Sequence, residues 1–189
     1  MSRLVADLLS DYQPQGAAET TDLPRIRAVA RTAADPWSRS IPLHLTGSAV
    51  IVHPATGRVL LRWHERQQAW LQVGGHGDPG ESDPLEVALR EAREETGLTD
   101  LAPWPGPALI HAAIVSVPAR ADEAAHEHAD LRYLLATSDP EAARPERETA
   151  PLRWLSLAEA RAVTAEDNLR ETLDRVARLM PEAQPARPG

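Results

Sequence analysis

One stretch constrains this chain more than any other: Gly74 to Leu98, reading GGHGDPGESDPLEVALREAREETGL. Its second half spells a helix with both ends marked. Asp83 is placed to N-cap, Pro84 suits the first helical position, and Glu86 completes a D-x-x-E capping box. Gly97 supplies a left-handed stop after Thr96. At 100° per residue, Leu85, Ala88, Leu89 and Ala92 form one apolar stripe that must face a core. Glu91, Glu94 and Glu95 stand at i, i+3 and i+4, so their carboxylates converge on a flank beside that stripe. Arg90 lies one turn from Glu86 and Glu94, where it can orient a carboxylate. The first half of the stretch is a glycine-rich loop carrying Glu81.

Three carboxylates on one helix flank repel one another, and a helix gains nothing from the arrangement alone. Hard divalent cations take oxygen ligands, and Mg²⁺ uses a few carboxylates while leaving other positions to water and substrate phosphates. A loop carbonyl near Gly75 adds a further oxygen. The plainer alternative is a solvated, Glu-rich helix face, the usual meaning of such a run. The glycine loop in front of the helix tips the balance toward a cation site.

With that loop, the stretch closely resembles the Nudix box, GX5EX7REUXEEXGU, in which U is a bulky apolar residue. Gly75, Glu81, Arg90, Glu91, Glu94, Glu95, Gly97 and Leu98 all find places in it. Eight residues separate Glu81 from Arg90 where the motif has seven, Ala92 holds the first apolar slot, and Val73 stands where the family usually has Pro. Counting back from Asp83-Pro84 puts the extra residue before the helix, so the helical carboxylates keep their spacing and Glu81 is the member affected. The resemblance spans about residues 44–180 and implies an α/β (α+β) fold, an α/β/α sandwich with a mixed β-sheet. It implies hydrolysis of a nucleoside diphosphate linked to another moiety, dependent on Mg²⁺ or Mn²⁺. Gly75, Glu81, Glu91, Glu94 and Glu95 would hold the metal, and Glu94 or Glu91 would take the proton from water. Arg90 would hold the carboxylates in place.

The net charge of −8 argues against binding nucleic acid polymers or anionic membranes, which require basic surface. All basic residues are Arg. A small anionic substrate must then be captured through a metal and local arginines. The chain has no Cys, which excludes disulfides and thiolate chemistry. Residues 1–20 lack the pattern of a signal peptide, and no apolar run approaches the ~18 residues of a membrane span. The expectation is a cytoplasmic protein, with a homodimer left open.

Three regions follow: an N-terminal helical extension (1–40), the main domain (41–180) and a disordered tail (181–189). Residues 3–9 and 22–33 read as short helices, the second capped by Asp22 or Thr21, serving as a packing arm over the sheet. Residues 45–53 and 58–66 form a hairpin around PATG (54–57), and 70–73 is a short strand entering the glycine loop. Residues 102–108 are a Pro-rich connection and 109–119 a strand. Residues 119–130 begin as an exposed acidic loop, followed by a strand at 130–137. Residues 152–160 pass from strand to helix near Ser156, and 171–180 form an amphipathic helix.

Outside the box, His126, His128, Asp130 and Arg132 share one face if extended. Arg132 and His128 are candidate substrate contacts, and His-x-His on a strand is also a plausible metal pair. The alternative is a polar solvent face. His76, next to the glycine pair, can hydrogen-bond substrate or a box carboxylate. Arg62 can meet diphosphate oxygens, and Trp70 or Trp63 can stack on a base, although buried Trp is more often core. Glu148 and Glu127 are candidates for the extra loop glutamate that Nudix enzymes often recruit. A non-catalytic nucleotide-binding sensor is the competing function, disfavoured because Glu91, Glu94 and Glu95 are all present. Isoprenoid diphosphate isomerisation, another branch of the family, relies on a Cys that this chain lacks.

Overall fold

The computed structural model describes residues 3–120 and 123–180; the tail expected to be disordered lies outside them. The alternation of side chains along two long strands organises everything else. Strand β1 (Leu43–His53) and strand β7 (His126–Ala136) run parallel through the centre, pairing from Leu43 with Glu127 to Val52 with Ala136. Leu45, Ala49 and Ile51 of β1, with Ala129, Leu131, Tyr133 and Leu135 of β7, point to one core. Val50, Val52 and Leu134, on the opposite parity, point to a second. Both faces are therefore covered, as the period of two requires for a strand buried on each side.

Helices α1 (Arg3–Asp11), α2 (Ala17–Thr32) and α3 (Pro84–Thr96) supply the first layer, and α5 (Asp167–Leu179) with α4 (Leu157–Val163) the second. One edge of β1 serves two partners in succession. Strand β4 (Val73–His76) pairs antiparallel with Thr46–Ala49, and β2 (Arg58–His64) with Ile51–His53. Strand β3 (Ala69–Leu71) and β8 (Leu152–Ser156) extend the sheet from β2. Strand β6 (His111–Val117) and the two-residue β5 (Ala102–Pro103) extend it from β7. The result is a mixed, curled sheet between helices, the α/β/α sandwich expected from the sequence.

Several boundaries differ from expectation, each for a local reason. Helix α2 starts at Ala17 behind Gly16, not at Asp22, and carries Pro24 inside it. Asp22-Leu23-Pro24 looks like a helix start because Pro suits the first turn. Here Asp22 instead accepts the N–H of Ile114 at 2.9 Å. Strand β7 begins at His126, so the residues read as the end of an acidic loop are sheet, held by parallel pairing to β1. Ala102 and Pro103, read as unstructured connection, pair with Ala136 and Leu135. Helix α5 begins at Asp167, four residues early. At Ser156 the strand-to-helix change occurs as read, with a reciprocal Ser156–Glu159 capping box.

The N-terminal helices are integral to the first core. Val5, Leu9, Leu23 and Ile26 are buried among the β1, β7 and α3 side chains. Glu19 of α2 is completely buried and accepts from Ala112 N–H at 2.8 Å and from Arg175 of α5 at 3.1 Å. This ion pair ties the first helices to the last across the edge of β6.

Candidate active site

Helix α3 lies against β1 and β4 with Val87, Ala88, Leu89 and Ala92 buried beneath it. Asp83 caps it by accepting Leu85 N–H at 2.9 Å, one residue short of the capping-box partner, and Gly97 closes it at φ 67°. The polar flank then faces β4, whose sequence is Val73-Gly74-Gly75-His76. Gly74 donates its N–H to Glu95 at 3.0 Å. At Gly75 an added Cβ would lie 2.5 Å from Glu91 Oε1, so only glycine lets that carboxylate rest on the strand. Both glycines are needed, and they bring two box carboxylates against one short strand.

Arg90 organises the remaining acids. Its Nε donates to Glu81 at 2.9 Å and its Nη2 to the second Glu81 oxygen at 2.9 Å. Its Nη1 donates to Glu91 and Glu94, each at 3.0 Å, and Nη2 also reaches the His76 carbonyl at 2.8 Å. The lengthened loop therefore still delivers Glu81 to the cluster, through Arg90. That pairing holds the Glu81 carboxyl below its usual range, while burial raises Glu91. Glu95 is pushed up to about 7 by burial, despite Arg62 and the Gly74 N–H opposing the rise. Glu91 and Glu95 are thus acids raised by burial at one short strand, while Glu81 and Glu94 are held beside them by Arg90.

On the other side of the glycine pair is a cleft of about 190 Å³, lined by Ser48, Gln72, Gly74, Gly75, His76 and His128 among others. Asp130 forms its floor, accepting from Thr46 and Ser48 at 2.9 Å each and from Gln72 at 3.2 Å. The sequence-nominated residues divide here. His76 and His128 line the cleft, and burial holds both neutral, with His76 lowered to about 3 and His128 to about 4. Arg132, expected to grip phosphate, is completely buried with its donors on Asp130, Thr172 and Asn168. Arg62, expected at the diphosphate, instead pairs with Glu95 at 3.2 Å and Glu146 at 3.4 Å. Trp70 meets Trp63 edge-on, and Arg153 lies over its ring at 4.5 Å. Among loop glutamates, Glu127 pairs with Arg25 at 2.5 Å, and it is Glu146 that lies beside Arg62. His44 and the hub role of Asp130 were missed. The available signal was the polar run His44, Thr46, Ser48 on alternate positions of an otherwise apolar strand.

The fold is a mixed sheet between helices, with carboxylates of a capped helix set against a glycine strand beside a polar cleft. The NUDIX domain model matches residues 43–177. The chain belongs to the Nudix family. It is 33% identical over 120 residues to a probable DHNTP pyrophosphohydrolase of Lactococcus lactis, covering 62% of this chain and 67% of that one. Over 40 residues it is 52% identical to the asymmetrical bis(5'-nucleosyl)-tetraphosphatase of Mus musculus, a segment covering 21% of this chain and 26% of that protein. In fold it is similar to the C. elegans Ap4A hydrolase, with a TM-score of 0.57 at 19% identity, covering 72% and 98% of the two chains.

Proposed function

We propose that this chain hydrolyses a diphosphate joining a nucleoside-like group to another moiety, with Mg²⁺ or Mn²⁺ held by Glu91, Glu94, Glu95 and the Gly75 carbonyl. The observation that carries the reading is the seat of Glu91 on Gly75, a space that any Cβ would fill. When bound, such cations neutralise phosphate charge and activate water for in-line attack. The chain's own groups supply the rest. Arg90 fixes Glu81, Glu91 and Glu94 relative to the His76 carbonyl, so the acids keep their geometry as substrate enters. Arg62 and the Gly74 N–H fix Glu95. Glu91 and Glu94 are the candidate proton acceptors. Burial gives Glu91 the raised proton affinity a general base needs, whereas Glu94 is the more open to solvent. Gln72, His76 and His128 face the cleft, where they can hydrogen-bond the group carried by the diphosphate. The similarity to the probable DHNTP pyrophosphohydrolase and to the tetraphosphatase supports a nucleotide or pterin triphosphate, or a dinucleoside polyphosphate, as the class to test first. The helical carboxylates favour turnover over mere sensing of such ligands.

The test is chromatographic product analysis over a panel of nucleoside and pterin triphosphates, dinucleoside polyphosphates and sugar diphosphates, with Mg²⁺, Mn²⁺ or chelator. Wild type should give metal-dependent products, and Glu95→Gln should lose at least a hundredfold in kcat while keeping its circular dichroism. Undiminished turnover by that variant would reject the assignment.

A further inference from the structure

Four histidines from three strands converge beside the cleft. His44 comes from β1, His76 from β4, and His126 and His128 from β7. The register explains the meeting: parallel pairing sets His44 opposite His128, and antiparallel pairing sets His76 opposite Thr46. One ring nitrogen from each of His44, His76 and His128 lies within 4.8 Å of the others. The His44 and His76 Nε2 atoms are 3.1 Å apart, and so are those of His126 and His128.

The outer nitrogens are spoken for. His44 Nδ1 is 3.0 Å from the Ile41 carbonyl, and His126 Nδ1 is 3.0 Å from that of Ala124. A carbonyl can only accept, so both rings carry their proton outward and aim an Nε2 lone pair into the cluster. A backbone carbonyl behind each ring is the usual support of a metal-ligating imidazole. With metal–nitrogen bonds of 2.0–2.1 Å, tetrahedral nitrogens are about 3.3–3.4 Å apart. The His44–His76 spacing of 3.1 Å is just below that value, and the nitrogens of His44, His76 and His128 lie within 4.8 Å of one another, so side-chain movement closes the set. The same two lone pairs can accept Nε2–H from His76 and His128 at 3.1 Å, and a bound cation would take the place of those two protons.

We propose that His44, His76 and His128, with His126 as the fourth ligand, bind a borderline transition-metal ion such as Zn²⁺ or Co²⁺, at a site separate from the carboxylates. Imidazole selects such ions, whereas Mg²⁺ prefers oxygen, so the two sites take different metals. A second cavity opens onto the cluster through Arg39, Ser40 and Glu123, giving an entry path. Arg39 adds positive charge nearby, and Glu123, with an oxygen 3.7 Å from His126 Nε2, offsets it. The His76 carbonyl accepts from Arg90, so an ion on the His76 ring would anchor the strand that carries the glycine pair.

Untagged, chelator-treated full-length protein should be titrated with Co²⁺ in saturating Mg²⁺, following visible d–d absorption. A single saturating site with the intense spectrum of tetrahedral nitrogen coordination is expected. His44→Ala and His128→Ala should each weaken it at least tenfold, while Glu91→Gln and Glu94→Gln leave it unchanged. His76→Ala, at a less buried ring, serves as a second variant should the His44 change disturb folding. No Co²⁺ spectrum in Mg²⁺, or a spectrum that follows the glutamate variants and ignores the histidine ones, would overturn the proposal. Neither outcome bears on turnover, so the hydrolase reading stands or falls separately.

Discussion

Replacing Gly75 by alanine should separate the site from the fold. Gly75 is not among the glycines held at positive φ, so alanine meets no backbone strain there. Its Cβ would stand 2.5 Å from Glu91 Oε1 and 2.8 Å from Oε2. Ordinary contact is about 3.5 Å, so the carboxylate must retreat by roughly 1 Å. That atom is the far end of a flexible side chain, and its retreat costs the fold little. The loss of glycine's backbone freedom even favours the strand, so stability should change by less than ~1 kcal/mol. A ~1 Å displacement of a group at the chemistry can cost about a hundredfold in rate, or ~2.7 kcal/mol of barrier. Gly74→Ala is the control with the opposite signature. Its φ is 147°, and a Cβ would lie 2.3 Å from Ser48 Cβ and 2.7 Å from the Gly47 carbonyl. Neither backbone nor neighbouring strand can yield, and strain plus overpacking should remove about 2–5 kcal/mol. Metal-dependent kcat and thermal unfolding should be measured on both proteins. Gly75→Ala with full kcat would refute the seating of Glu91 as part of the reacting geometry, and an equally large loss of Tm in both would refute the distinction.

Two further expectations concern stability. Arg175→Ala would leave Glu19 fully buried without its cation, which should cost about 3–5 kcal/mol in a urea melt, whereas the paired change Glu19→Gln with Arg175→Met should recover much of it. His111, buried against Thr172 Oγ1 at 2.8 Å, is lowered by burial to about 2. Its folded form refuses a proton that the unfolded chain accepts near pH 6.5, so its stabilising effect is present above 6.5 and is lost as pH falls. Each pH unit below 6.5 should cost ~1.4 kcal/mol on its account. Between pH 4 and 6 the protons taken up on unfolding should fall by about one in His111→Gln, and an unchanged slope would contradict the burial argument.

Helix α3 could be read whole from the chain because its determinants are local. The Asp83 cap, the Gly97 stop, the stripe over Ala88 and Ala92, and the convergence of Glu91, Glu94 and Glu95 are all set within 25 residues by the pitch of a helix. The hairpin at PATG and the Ser156 start of α4 were legible for the same reason. A strand pattern tells which face a side chain takes, not what helix α5 will place against it: Arg132 stands in the same cleft lining as His128 and Asp130, with donors on Asn168 and Thr172. Glu146 was passed over for Glu148 because a loop's reach toward Arg62 depends on how it crosses the sheet.

What the chain by itself determined, then, was the helix of acids, the glycines that admit them, and the chemistry those residue types permit. What only the tertiary structure decided was which distant residues meet them. His44 and His128 stand 84 positions apart, as do Thr46 and Asp130, and each pair becomes neighbours only through the parallel register of β1 and β7. Side-chain periodicity repeats every two residues and says nothing of register between strands, so that partnership is chosen by the packing of two whole helical layers against one sheet.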